Sequence, residues 1–223
     1  MRKLKNFGKK MNKNKKNFLY EKRLKILNTA KKYISYEGIN KRTFNYLSKD
    51  KKINKDELDL LFPEGYQDLI SFALDELDKK VENYCKNLDI IRLPVHKRIR
   101  KILLAKIFLM NKEKTFYKKI YFNLLLPTKN LFVLKRLYRS IDQIWYLAGD
   151  NSVDFNFYTK RLILAAIYSR TILFFFNNND MDKLELVLDE NLKKVSKIPE
   201  LKSKIKIVKD NFPNILKFVK NFN

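Results

Sequence analysis

The chain has little of what most protein chemistry needs. Its 223 residues include one cysteine, Cys85, and one histidine, His96. No intrachain disulfide can form, which fits a reducing compartment. A zinc site built on Cys and His, or a di-iron site with paired Glu-x-x-His motifs, needs more of these residues than are present. Only four glycines and five prolines occur, so hairpin turns and Gly-rich loops have little material. There is no P-loop, no dinucleotide-binding glycine fingerprint and no Gly-x-Ser-x-Gly elbow. Asp142, Asp150 and Asp154 are candidates for acid–base work. Capping and surface roles explain them more simply, since Asp150, Ser152 and Asp154 lie just before a predicted helix. No catalytic residue, metal ligand or cofactor is assigned, and the chain reads as a non-enzyme. Cys85 reads as a core or semi-buried helix residue. His96, after Pro94 and beside Lys97 and Arg98, reads as a surface residue near a helix start.

What is abundant is charge of one sign and apolar periodicity. Lys and Arg number 49 against 24 Asp and Glu, a formal charge of +25. Such a field attracts nucleic acid, anionic membrane or acidic proteins. An A+T-rich genome also encodes abundant Lys, Asn, Ile, Phe and Tyr, so composition alone is a competing source of the charge. Residues 1–17 hold eight Lys and Arg and no acid. They lack the apolar run of a secretory signal and read as a disordered basic tail. The most apolar stretch, Tyr158–Phe176, contains Arg170, which costs roughly 2.5–3.5 kcal/mol inside a bilayer on insertion scales. A buried central helix is the better reading.

Hydrophobic residues make up 45% of the chain and recur at helical spacing, so the fold class is all-α. A first helix is expected from Phe18 to Tyr36, with Leu24, Leu27, Lys31 and Ile34 on one face and Gly38 as the stop. Short helices follow near Thr43–Lys49 and from the N-cap Asn54, with Phe44, Leu47, Leu58, Leu61 and Phe62 inward and Pro63 as the end. Residues 66–88 form a longer helix with Leu69, Ala73, Leu77, Val81 and Tyr84 on one stripe. Further helices are expected near 95–111, 115–125, 130–147, 155–176 and 181–196. Beyond Ile198, Leu201, Ile205, Val208 and Phe212 make an apolar stripe flanked by Lys202, Lys204, Lys206 and Lys209. Leu216 and Val219 continue it after Pro213. This is the composition of a helix lying in a membrane interface. Packing on its own domain or on a second subunit is the alternative.

The order long helix, Gly turn, two short helices and long helix resembles the TetR-like N-terminal unit. The resemblance rests on Ile26, Leu27, Ala30, Gly38, Leu47, Ile53, Leu58, Phe62, Pro63 and Leu69. It implies a three-helix, helix-turn-helix-like unit over 18–65, followed by a larger helical lipid-binding or dimerisation domain over 66–196. Residues 197–223 then form a C-terminal amphipathic helix. A TetR-type ligand-responsive DNA-binding regulator is one functional reading. The groove-reading helix, however, would begin NKDELDLLF. Asp56, Glu57 and Asp59 would repel phosphates, so specific DNA binding is disfavoured.

The window Asp142–Arg161 breaks the background. It holds the only tryptophan, Trp145, together with Gly149, Phe155, Phe157 and Tyr158 among three aspartates. With Leu126-Pro127 upstream, Ala148-Gly149-Asp150, Asp154-Phe155-Asn156, Tyr158-Thr159, Arg161 and Ala165 to Tyr168, it resembles the TetR-like lipid-binding accessory protein of ubiquinone (coenzyme Q) biosynthesis. The segment FPEGYQDLISFALDEL fits the same pattern, so the likeness spans roughly residues 24–192.

The resemblance implies a homodimer that binds isoprenoid quinone lipid in an apolar pocket. It implies assistance to the di-iron demethoxyubiquinone hydroxylase and membrane contact through the C-terminal helix. Carried over motif by motif, the hydroxylase-contact patch is Asp142, Ile144, Trp145, Asp154, Phe157 and Tyr158. Phe157 stands where the family has Trp, losing an indole donor, and Ile144 where relatives have Met. The membrane contacts would be Leu201, Ile205, Val208, Phe212, Leu216 and Val219. The expected place is peripheral on a bacterial inner membrane, or on the matrix side of the mitochondrial one. Candidate pocket residues are Phe108, Phe122, Leu125, Ile163, Ile167, Phe174 and Phe175, each of which is also an ordinary core position. Three adjacent phenylalanines at 174–176 cannot all face one core.

Overall fold

A computed structural model of the chain describes residues 2–51, 53–124, 130–150 and 155–196. Among the described residues there are nine helices and no strand. They are α1 (Arg2–Glu37), α2 (Lys41–Leu47), α3 (Lys55–Leu61), α4 (Tyr66–Lys86) and α5 (Val95–Asn111). α6 (Lys114–Leu124), α7 (Asn130–Leu147), α8 (Phe155–Asn177) and α9 (Met181–Ser196) follow. The all-α expectation and the positions of the helices hold. The largest departure is α1, which begins at Arg2 rather than Phe18. Lys, Arg and Leu propagate a helix well and no proline interrupts the segment, so the basic stretch continues the backbone spiral. The C-terminal stretch expected to contact a membrane lies outside the described residues.

The punctuation follows local chemistry. Asn54 caps α3 by accepting hydrogen bonds from the amides of Asp56 at 2.8 Å and Glu57 at 3.4 Å. Asn40 caps α2 through the Thr43 amide. Pro63 and Pro94 fall between helices, where a missing N–H costs nothing. Gly38 ends α1 at φ +79°, its amide bonded to the Ile34 carbonyl at 2.9 Å.

The chain divides into two compact units, Met1–Leu77 with Glu113–Pro127, and Asp78–Lys112 with Thr128–Asn223. The division differs from the 18–65 and 66–196 domains expected from sequence, because α6 belongs with the N-terminal helices. In the first unit α1 packs on α2, α3 and α6. Leu47 and Leu58 are fully buried, as is Ile34, and Phe62 is 1% exposed. Burying a side chain of this size stabilises by about 1.5–3 kcal/mol. Arg23 stacks over Phe62 and Phe72, with its guanidinium carbon 4.8 and 4.4 Å from the ring centroids. In the second unit α5 packs on α7, α8 and α9, α7 on α8, and α8 on α9.

α8 is not buried all round. Leu164, Ile167, Tyr168, Thr171, Ile172, Phe175 and Phe176 face inward, while Leu162, Ala166, Arg170 and Leu173 are exposed. Of the three phenylalanines Phe175 and Phe176 are buried and Phe174 is half-buried, as adjacent positions on a helix require. Among the described residues no helix is long and apolar enough to cross a membrane. Tyr84 does not complete the core stripe of α4. It is exposed and stacks on exposed Phe108, ring centroids 5.9 Å apart.

Candidate functional site

The corner between α7 and α8, within the second unit, gathers the unusual residues. α7 stops because Gly149 takes φ +80°, a conformation that an L side chain rarely adopts. The Gly149 amide bonds the Tyr146 carbonyl at 2.9 Å and the Asp150 amide bonds the Trp145 carbonyl at 3.0 Å. This pair of bonds is the Schellman ending of a helix. Gly149 has a second reason to be glycine. A Cβ there would lie 2.8 Å from Nη1 of Arg98. That guanidinium donates to the Ala148 carbonyl at 3.0 Å and, through Nε, to the Leu93 carbonyl at 2.7 Å. One arginine on α5 thus ties the Ala148 carbonyl, just past the end of α7, to the segment before α5.

Arg161 is the hub of the corner. Its side chain is only 8% exposed. Nε and Nη2 donate to Asp142 Oδ1 at 2.8 and 2.6 Å, and Nη1 lies 3.7 Å from Asp150 Oδ2. The guanidinium carbon sits 3.2 Å from the centroid of Phe157, one turn earlier on α8. Lys160 donates to Asp150 Oδ1 at 2.9 Å and lies 5.7 Å from the Trp145 ring centroid. Asp150 is therefore paired with two cations on α8 and hydrogen-bonded to Lys160. Phe157 and Tyr158 meet edge to face, ring centroids 5.1 Å apart. Burial pushes the Tyr138 hydroxyl above its usual range. The Asp142 carboxylate adds to that shift and Arg161 opposes it.

The expected contact residues separate into a floor and a rim. Ile144 and Trp145 are buried, at 1% and 7% exposure. The Trp145 indole N–H has no hydrogen-bond partner among the described residues. Asp142, Phe157 and Tyr158 are half-buried, and Tyr146, beside the corner, is 72% exposed. Asp154 lies outside the described residues, as do Leu125 and the membrane positions Leu201, Ile205, Val208, Phe212, Leu216 and Val219. Of the pocket candidates, Ile167 and Phe175 are buried, Ile163 and Phe174 half-buried, and Phe108 exposed, all within the second unit. Phe122, 40% exposed, belongs to the first unit.

Periodicity alone hid three polar features of the second unit. Lys106 on α5 is 1% exposed and donates to Asp78 at 2.6 Å and Ser140 at 3.3 Å, with its ammonium 5.2 Å from the Tyr168 ring centroid. Gln143 donates to the Asp78 carbonyl at 3.0 Å. Arg100 joins α9 by donating to Asp189 and Glu185. Lys106 sits among isoleucines and leucines in the sequence, so nothing local distinguishes it from a surface lysine. Among the described residues no group of three or more His, Cys, Asp or Glu could hold a metal ion.

The helices carrying this corner define the class to which the chain is similar. Residues 132–199, which take in most of α7 and all of α8 and α9, match the COQ9 family model. The chain is 42% identical over 59 residues to the mitochondrial ubiquinone biosynthesis protein COQ9 of Homo sapiens, covering 26% of this chain and 19% of that protein. The Rattus norvegicus protein of the same name matches equally, at 42% over 59 residues, 26% of this chain and 19% of its own. The probable mitochondrial ubiquinone biosynthesis protein coq9 of Dictyostelium discoideum is 45% identical over 42 residues, 19% of this chain and 14% of its own. The chain thus spans about a fifth of the length of the curated relatives it matches first. The resemblance expected from the Asp142–Arg161 window is borne out over this segment.

Proposed function

We propose that the protein is a non-enzymatic accessory protein of ubiquinone biosynthesis. It binds isoprenoid quinone intermediates and presents them to the di-iron demethoxyubiquinone hydroxylase at a membrane surface, as a homodimer. The observation that carries the reading is the COQ9-family match, which coincides with the helices holding the Asp142–Arg161 clamp. A polyprenyl tail does not cross water unaided, so an enzyme acting on its headgroup gains from a carrier with apolar surface. α8 offers such surface, exposing Leu162 and Leu173 on one side and burying aromatic side chains on the other. Within the second unit, Phe108, Ile163, Ile167, Phe174 and Phe175 are the lipid contacts of this reading.

At the partner face, Asp142, Phe157 and Tyr158 form the reachable rim, and Ile144 and Trp145 support it from below. Phe157 and Tyr158 supply the aromatic anchors that protein contacts favour. Asp154 and the amphipathic helix over 197–223 enter on sequence grounds alone. The relatives are named as mitochondrial proteins, which supports a peripheral place on the matrix side of the inner membrane. A DNA-binding regulator lacks comparable support. The relatives reported above are named for ubiquinone biosynthesis, and α3 exposes Asp56 and Asp59 where a groove reader needs neutral or basic groups.

The quinone profile of cells lacking the protein, with and without re-expression, tests the reading. Demethoxyubiquinone that accumulates and is relieved on re-expression supports it. A normal profile refutes it.

A further inference from the structure

We propose that the first unit carries a lipid-docking face of its own, built by α6 and the α1–α2 turn and fitted to an anionic bilayer surface. The proposal goes beyond the ubiquinone reading and stands without it. One hydrogen bond and one close approach set α6 against the turn, and a hydrogen bond from Thr43 fixes the turn itself. Asn123 Nδ2 donates to the Ile39 carbonyl, the Thr43 hydroxyl donates to the Gly38 carbonyl at 2.8 Å, and a Cβ at Gly38 would lie 3.9 Å from Lys119 Cδ.

α6 and the α1–α2 turn with the start of α2 carry Lys41, Arg42, Lys118 and Lys119 and two exposed aromatic side chains, Tyr36 at 79% and Phe122 at 40% exposure. Residues 36–42 and 114–122 together contain five Lys and Arg and one acid, Glu37. The neighbouring Glu113 is engaged by Lys31 at 2.7 Å. Burial holds the Lys114 ammonium below the usual lysine range, and the Lys118 charge lowers it further. Lys118 sits 5.6 Å from the Phe122 ring centroid, so apolar tip and cation are presented together.

Charge complementarity selects a polyanion, and the aromatic tips select a bilayer. Tyr and Phe beside Lys and Arg are the pair that settles at a headgroup boundary, ring in the interface and cation on the phosphates.

The test uses the full chain with Cys85→Ala and Phe122→Cys, labelled at position 122 with an environment-sensitive fluorophore. On vesicles containing phosphatidylglycerol the emission is expected to shift to the blue and become shielded from an aqueous quencher. On phosphatidylcholine alone it is expected to stay unchanged. Lys41→Gln, Arg42→Gln and Lys119→Gln together, all exposed positions, raise the lipid concentration for half the shift by at least about tenfold. A label that stays in water while the chain sediments with anionic vesicles overturns the proposal. So does an equal shift for a label at Leu60→Cys on α3, or a shift with duplex DNA and none with vesicles.

Discussion

Arg161→Met isolates what holds the α7–α8 corner together. The substitution keeps an unbranched side chain over Phe157 and removes every donor. Asp150, whose side chain is 9% exposed, keeps Lys160 at 2.9 Å, so it is not left without a cation. Asp142, whose side chain is 45% exposed, regains water. Breaking a fully buried ion pair costs about 3–5 kcal/mol, and an exposed pair is worth about 0–1 kcal/mol. The half-buried geometry here places the loss at about 2–3 kcal/mol. For a chain of this size that lowers the melting temperature by roughly 5–10 °C. Arg161→Lys keeps the charge but not the planar fork or the stacking, and is expected to lose about 1–2 kcal/mol. Trp145 is the only tryptophan and lies buried in this unit, so its fluorescence during urea unfolding reports the unit directly. A double-mutant cycle with Asp142→Asn should give a coupling of about 1–2 kcal/mol. An Arg161→Met protein within 0.5 kcal/mol of the parent, or a coupling near zero, would refute the clamp.

Four further outcomes follow from the geometry. Lys106→Met strands the buried Asp78 carboxylate and should cost about 3–5 kcal/mol by the same fluorescence assay, while adding Asp78→Asn should recover at least half of it. Gly149→Ala forces a left-handed residue and displaces Arg98 from the Ala148 carbonyl, for a loss of about 1–2 kcal/mol in a urea titration. Burial, with the hydrogen bond to Glu76, pushes the Tyr20 hydroxyl up to about 12. Its contribution to stability should be complete below pH 10 and disappear as pH rises from 10 to about 12, seen as delayed phenolate absorbance. Burial also pushes the Cys85 thiol up, so alkylation at pH 8 should run slower than that of a free thiol and reach that rate only in denaturant.

Most helices were legible because their apolar residues repeat with the period of a helix and their ends carry caps. Asn54, Gly38 and Pro63 each act as local chemistry dictates. Val81 and Leu188 are buried as spacing required. Tyr84, next on the same stripe as Val81, is not, because the element that would cover it depends on distant parts of the chain. The corner was legible as an anomaly in composition. Its order was not, because Asp142 and Arg161 are 19 residues apart and meet only once α7 and α8 pack together.

The all-α class, the helix stops and the aromatic window that carries the COQ9 likeness follow from the order of residues alone. These depend on residues within a few positions of each other, where backbone preference and amphipathic spacing act. Tertiary structure decided which charges are buried and with whom. Lys106 beside Asp78, Arg161 between two aspartates and Arg98 on the end of α7 pair groups distant in the chain. It also decided that Trp145 lies beneath the corner, while Phe157 and Tyr158 form the rim. Only packing sets the local dielectric, so only packing determines whether a charged or aromatic side chain is solvated, paired or enclosed.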